Sequence, residues 1–252
     1  MLELENITVR YGDHTVVDNL SLTLREGQWL MLAGPNGAGK SSLIGAVSQA
    51  VPSRGVMRLD GQDLRRMKPA HVARKIGVLA QKNSVGYDYT VEEIVSLGRY
   101  AHASGFLSGR DQGGAASVDR ALELTGLTDL RHASVTALSG GEVQRTFLAQ
   151  VFAQEPQLLM LDEPANHLDL VYQKHIFTLI GEWLKQPGRA VISVVHDLSL
   201  ARRYGTHAVL MHQGKAVAQG ETASVLTPAN LQSVYGMDVA GWMREMLGQW
   251  EK

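Results

Sequence analysis

The sequence has no cysteine at any of its 252 positions. Disulfides, thiolate metal sites and cysteine nucleophiles are therefore excluded, and the composition fits a reducing compartment. An excess of either charge is equally missing, since 24 Lys and Arg face 25 Asp and Glu for a net charge of −1. Tight nucleic-acid binding usually needs a broad positive field, so no nucleic-acid partner is expected. Long apolar runs are absent too: stretches such as 158–161 and 190–195 fall far short of the ~20 residues that a spanning helix requires. Residues 1–10 alternate acidic and apolar side chains, with no basic segment leading into an apolar stretch, so no secretory signal is expected. The chain is expected to be soluble by itself and to serve any membrane process through a partner. No repeat or low-complexity segment is evident.

What is present is an ordinary globular mixture, 44% hydrophobic and 19% charged, long enough for one large domain or two modest lobes sharing a core. Leu20, Leu22 and Leu24 alternate with polar residues as in a half-buried strand. Residues 28–33 form a compact apolar run that ends at Gly34, and a helical stretch begins near Gly39. Further strands are expected at 56–60, before a turn at Gly61, and at 76–80. From about residue 82 the pattern changes: 89–97 and 118–124 look helical, and 104–115, rich in Gly, Ser and Asp, reads as a connecting loop. A helix is expected over 140–154, strands at 158–161 and 190–195, and between them a helix over 170–185 that stops before Pro187-Gly188. This is an α/β core interrupted by a helical insert and resuming after about residue 155.

Two motifs carry chemistry. Gly34-Pro35-Asn36-Gly37-Ala38-Gly39-Lys40-Ser41 fits the phosphate-binding pattern G-x-x-x-x-G-K-[ST] without a mismatch and lies between an apolar strand and a helix. Its glycines let the backbone wrap phosphate oxygens, while successive N–H groups and the helix N-terminus supply partial positive charge. Lys40 would reach the β- and γ-phosphates, and the Ser41 hydroxyl would ligate Mg²⁺. The second motif is the apolar run 158–161, which ends in Asp162-Glu163. A carboxylate there, Asp162, can hold the Mg²⁺ shell, and Glu163 can polarise the attacking water as a general base. Together they define a phosphoryl-transfer site and leave kinases, GTPases and many ATPases open.

Leu138-Ser139-Gly140-Gly141-Glu142 resembles the LSGGQ signature of ABC ATPases, and Val143-Gln144-Arg145 continues that pattern. Ser139 caps a helix whose first turn holds two glycines, an open N-terminus with no evident job on the chain's own nucleotide. The other family elements occur in order along the chain. Gln81 stands at the Q-loop glutamine, a Mg²⁺ and water contact that senses the membrane partner. Asn166-His167-Leu168-Asp169 stands at the D-loop, with Asp169 its acid. His196 matches the switch histidine that contacts the γ-phosphate, and Tyr11 sits where an aromatic stacks on adenine. Glu142 replaces the usual glutamine at a position that varies in the family, so activity is expected to persist. The histidines His71, His102, His132 and His207 show no metal-ligand spacing and read as structural or surface residues.

The resemblance implies a P-loop (RecA-like) core, about 1–81 and 155–225, with an antiparallel β subdomain. It also implies a helical subdomain at about 82–154 and a C-terminal helical tail at about 226–252, all within one cassette. ATP and Mg²⁺ are the implied cofactors, with Ser41, Gln81 and Asp162 on the metal and Ser42 joining the phosphate loop. In a head-to-tail homodimer, Ser139, Gly140, Gly141 and Glu142 of one subunit would face the nucleotide of the other. The short single-domain form, 138–145, the 166–169 loop and the tail, 226–231 followed by Val234-Tyr235-Gly236-Met237, resemble bacterial importers of ferric siderophores, haem and cobalamin. That likeness implies integral-membrane permease subunits as partners, a substrate-binding protein as an indirect one, and a place on the cytoplasmic face of the bacterial inner membrane. The competing readings are a soluble ABC ATPase acting on nucleic acid or ribosomes, and a non-catalytic nucleotide-binding scaffold. The single cassette and balanced charge argue against the first, and the intact Lys40, Asp162, Glu163 and His196 against the second.

Overall fold

A computed structural model describes residues 1–80, 87–102, 111, 113–166 and 168–250. In chain order it begins with strands β1 (Leu2–Tyr11), β2 (His14–Leu24) and β3 (Trp29–Ala33), then helix α1 (Lys40–Val47). Strands β4 (Ser53–Leu59) and β5 (Gln62–Asp63), helix α2 (Pro69–Lys75) and strand β6 (Ile76–Leu79) follow. Helices α3 (Val91–Leu97), α4 (Gly114–Thr125) and α5 (Gly140–Ala153) come next, then β7 (Leu158–Asp162), α6 (Leu170–Leu184) and β8 (Ala190–Val194). The chain continues through α7 (Leu198–Tyr204), β9 (His207–His212), β10 (Lys215–Glu221), α8 (Thr222–Val225), α9 (Pro228–Tyr235) and α10 (Val239–Gly248). These elements fall into two compact units, Met1–Asp63 with Ser193–Lys252, and Leu64–Ile192.

The first unit contains an antiparallel sheet in the order β2-β1-β4-β5 and the strands β10-β9-β3. In β1 the apolar positions change parity, from Leu2 and Leu4 to Ile7 and Val9, yet all four are buried. The register shifts between Leu4 and Ile7, where Asn6 takes φ +55 and its amide donates to Ser21 Oγ at 2.8 Å. This one-residue bulge returns the later apolar side chains to the buried face. Every residue of β3 is buried, which is why its sequence is a continuous apolar run rather than an alternation. It pairs parallel with β9, Leu30 opposite His207 through Ala33 opposite Leu210. Trp29, the first residue of β3, is buried and donates its indole N–H to Ser193 Oγ at 2.8 Å, so the ring is buried without an unpaired polar atom.

In the second unit β6 and β7 pair parallel, Ile76 opposite Leu158 through Leu79 opposite Leu161. Residues Leu158 to Leu161 are fully buried. Helix α3 starts at a capping box in which Thr90 accepts from the Glu93 amide and Glu93 accepts from the Thr90 amide. Helix α4 ends at Gly126, left-handed at φ +65. Phe152 of α5 stacks on Trp183 of α6 with ring centres 6.1 Å apart, and the Arg189 guanidinium lies 4.4 Å over the Trp183 ring.

The expected helices at 140–154 and 170–185 appear within a residue of their ends. Two expectations are corrected. The strand expected at 56–60 begins earlier, at Ser53, because it pairs with β1 back to Val9. Residues 114–115, expected in a loop, open α4 instead: the alanines at 115 and 116 are strong helix formers, and Ser117 bonds back to the Gly113 carbonyl at 3.1 Å.

Candidate functional site

The first unit holds the glycine loop. It leaves β3, turns through Gly37 at φ +78 and Gly39 at φ +100, and enters α1 with Gly39 as an N-cap that offers no side chain. Gly39 thus adds no capping side chain at the end of α1 where the helix dipole favours an anion. At Gly39 a Cβ would overlap the Val16 carbonyl oxygen and lie 3.2 Å from Val17 Cγ2, whereas at Gly37 nothing lies within 4 Å. Lys40 is buried at 5% exposure, and its ammonium donates to the Gly34 and Pro35 carbonyls at 2.7 and 2.9 Å. A buried cation needs such partners. Ser41 is exposed and Ser42 half-buried.

Other segments of this unit brace the loop. The Gly214 amide donates to the Ala38 carbonyl at 3.2 Å, and the Asp18 amide to the Gly214 carbonyl at 2.9 Å. The Val195 amide bonds the Leu32 carbonyl at 3.2 Å, which brings exposed His196 beside the strand that feeds the loop. Asp197 then caps α7, accepting from the Ser199 and Leu200 amides at 2.7 and 3.2 Å. Tyr11 ends β1, half exposed at 52%. From α9, the Tyr235 phenol oxygen accepts a hydrogen bond from the Gly34 amide. Burial pushes this phenol above the ordinary tyrosine value, and the amide acts in the opposite direction.

The second unit holds the acidic pair and the signature helix. Asp162 closes β7 and is half-buried. Glu163 follows at φ +55, in a turn closed by the Asn166 amide on the Glu163 carbonyl at 3.1 Å. The Asn166 side-chain amide also donates to Glu163 Oε2 at 2.6 Å. Asp169 caps α6, accepting from the Tyr172 amide at 3.0 Å. Ser139 caps α5 in a reciprocal box: Glu142 Oε2 accepts from the Ser139 amide at 2.8 Å and from its hydroxyl at 2.7 Å. Those two bonds, the hydroxyl's first, hold the Glu142 carboxyl below the usual carboxylate range. Gly140 is exposed, while Gly141 is covered by the Tyr172 ring, and Arg145 lies 5.9 Å from the centre of that ring. Gln144 donates to the Pro164 carbonyl at 2.9 Å, tying the signature helix to the turn that carries Glu163.

Gln81 and His167 lie outside the described residues. Residue-by-residue reading of the sequence missed three contacts: Asn166 on Glu163, Gln144 on Pro164 and Tyr235 on Gly34. Glu142, at the position of the usual glutamine, has a local role of its own, since Ser139-x-x-Glu142 is the pattern of a capping box. Among the described residues no group of three or more His, Asp or Glu could hold a metal ion, and no helix is long and apolar enough to cross a membrane.

A glycine loop with a buried lysine, strand-end acids and a glycine-opened helix together fit the pattern of a nucleotide-hydrolysing cassette. The profile of the ABC transporter family matches residues 17–166. The chain is 41% identical over 245 residues to the hemin import ATP-binding protein HmuV of Pseudomonas entomophila (strain L48), covering 95% of this chain and 94% of that one. It is 38% identical over 234 residues to the ferric enterobactin transport ATP-binding protein FepC of Escherichia coli (strain K12), covering 92% and 86%. Among solved structures, a chain of an ABC transporter in an inward-facing conformation superposes with a TM-score of 0.81 at 26% identity, covering 94% and 89%. This chain belongs to the ABC transporter family and is an ATPase with the mixed α/β fold of its cassettes.

Proposed function

We propose that the chain is the ATP-hydrolysing subunit of a bacterial importer for a ferric siderophore, haem or cobalamin. It works as a head-to-tail homodimer on the cytoplasmic face of the inner membrane, bound to separate permease subunits and, through them, to a substrate-binding protein. End-to-end likeness to import ATP-binding proteins, 41% over 95% of the chain in one case, carries this reading. A groove in the second unit supports the permease partner. It has a volume of about 240 Å³ and is lined by residues including Val78, Leu97, Tyr100 and Gln150, of which Leu97 and Tyr100 are 54% and 82% exposed.

In the proposed cycle, Gly34 to Ser42 cradle the triphosphate of ATP through backbone amides and the α1 N-terminus. Lys40 exchanges its carbonyl partners for the β- and γ-phosphate oxygens. Tyr11 lays its exposed ring on adenine. A water oxygen bonds to the γ-phosphorus as the bond to the bridging oxygen breaks, leaving that electron pair on ADP, and the water proton passes to Glu163. His196 donates to the γ-phosphate. Ser139, Gly140, Gly141 and Glu142 of the partner subunit, with Asp169 at the junction, complete the site in trans. The Ser41 hydroxyl and Asp162 carboxylate are hard oxygen donors suited to a cation that keeps most of its water and phosphate ligands. With Gln81 they would hold Mg²⁺, which neutralises charge on the phosphates.

Co-purification of the tagged chain from native membranes in mild detergent tests the reading. Recovery of a many-helix membrane protein supports it and identifies the permease. Recovery of ribosomes, nucleic acid or no membrane protein replaces it with a soluble ABC mechanism.

A further inference from the structure

Glu163 stands in an uncommon backbone conformation. Its φ is +55, a region that few side-chain-bearing residues occupy, and it follows directly on the buried strand β7. A carboxylate there has a fixed origin but still turns about its side-chain bonds, and a general base acts only from within hydrogen-bond reach of the proton it takes. Something must therefore set the carboxylate's direction. Asn166 is three residues on, in the same turn, with its backbone amide on the Glu163 carbonyl at 3.1 Å and its side-chain amide on Glu163 Oε2 at 2.6 Å. One residue thus binds both the main chain and the side chain of Glu163.

The turn itself is anchored. Gln144, on the signature helix, donates to the carbonyl of Pro164 at 2.9 Å, the residue between the two partners on the Glu163 side. Pro164 and Ala165 are buried, so Asn166 is presented from a held segment rather than from a loose loop. A carboxylate has about four lone-pair positions. The bond from Asn166 restrains the carboxylate's orientation without consuming its capacity to take a proton.

We propose that Asn166 is a positioning residue for hydrolysis: its side-chain amide orients the Glu163 carboxylate toward the attacking water. This rests on the reading of Glu163 as the general base. The bond joins two residues of one turn of the same chain, so its loss is expected to lower turnover and to leave ATP affinity unchanged.

Three variants carrying a change at Asn166, beside Glu163→Ala by itself, test this in the full chain, each read by steady-state phosphate release and by ATP affinity. Asn166→Ala lowers kcat by about 10- to 100-fold, the scale of a lost supporting contact at a reacting group, with KM for ATP unchanged. Asn166→Asp keeps the side chain's shape and turn preference but loses the N–H₂ donor. It falls at least as far as the alanine variant. A residue needed only for the turn would leave the aspartate variant at wild-type kcat, and that outcome overturns the proposal. In the third variant, Asn166→Ala placed on Glu163→Ala leaves ATP affinity as it is in Glu163→Ala by itself, because Asn166 acts on turnover through Glu163. A loss of ATP affinity in that background also overturns it. Glu163→Ala by itself separates the two ideas. If it retains turnover, the general-base reading has failed. If it abolishes turnover while both Asn166 variants keep theirs, only the role of Asn166 has failed.

Discussion

Gly39 and Gly37 both bend the phosphate loop with positive φ, at +100 and +78, but their surroundings differ. A Cβ at Gly37 meets nothing within 4 Å, whereas one at Gly39 overlaps the Val16 carbonyl oxygen and comes within 3.2 Å of Val17 Cγ2. Gly37→Ala therefore incurs backbone strain alone, of order 1–3 kcal/mol. Gly39→Ala incurs similar strain plus an overpacking cost of about 1–3 kcal/mol, because Val16 and Val17 lie in a strand paired to β1 and do not move freely. For a chain of this size, about 2–4 °C of melting midpoint is lost per kcal/mol. Gly39→Ala then melts roughly 2–12 °C below Gly37→Ala, and binds ATP more weakly because relieving the overlap displaces the start of α1. Differential scanning calorimetry of both variants, beside titration calorimetry with ATP, measures the gap. Equal melting points would refute the argument that backbone contact, rather than φ alone, requires glycine at 39.

Other predictions follow from the same contacts. Ser139→Ala removes the α5 cap at about 1 kcal/mol and also abolishes phosphate release, whereas a residue serving only as a cap would lose stability and keep turnover. The capping box depends on pH. Ser139 holds the Glu142 carboxyl below its usual range, so the stabilisation is present above the unfolded carboxylate's pKa and lost as pH falls through the lower folded one. An acid titration by NMR shows Glu142 among the later-protonating carboxyls, and Glu142→Gln loses this acid dependence of the α5 N-terminus. Tyr235→Phe deprives the Gly34 amide of its acceptor, and a net hydrogen bond of about 0.5–1.5 kcal/mol corresponds to roughly two- to tenfold weaker ATP binding if the loop loosens. Unchanged affinity by calorimetry would reduce Tyr235 to packing.

Much of the fold could be read from periodicity. The apolar runs at β3 and β7 and the capped starts of α5 and α6 have local causes: burial on both faces and side-chain oxygens on helix amides. Strand β1 was less legible, because the Asn6 bulge breaks its alternation into two short pieces of opposite parity. Strands β9 and β10 gave little signal, since His207 and His212 bound one and the other is mostly exposed. The chemistry at 34–41 and 162–163 was legible because loop and strand-end motifs are contiguous. What escaped were contacts set by folding rather than spacing. Asn166 meets Glu163 only because the turn closes, Gln144 meets Pro164 across 20 residues, and Tyr235 reaches Gly34 from the far end of the chain.

That this chain hydrolyses ATP with Glu163 acting on water and Lys40 on phosphate is tested by phosphate release from the purified protein with ATP and Mg²⁺. Wild type is predicted to turn over. Glu163→Gln is predicted to bind ATP, accumulate as an ATP-bound dimer and release almost no phosphate, and Lys40→Ala to lose ATP binding. Turnover by Glu163→Gln near the wild-type rate would contradict the account.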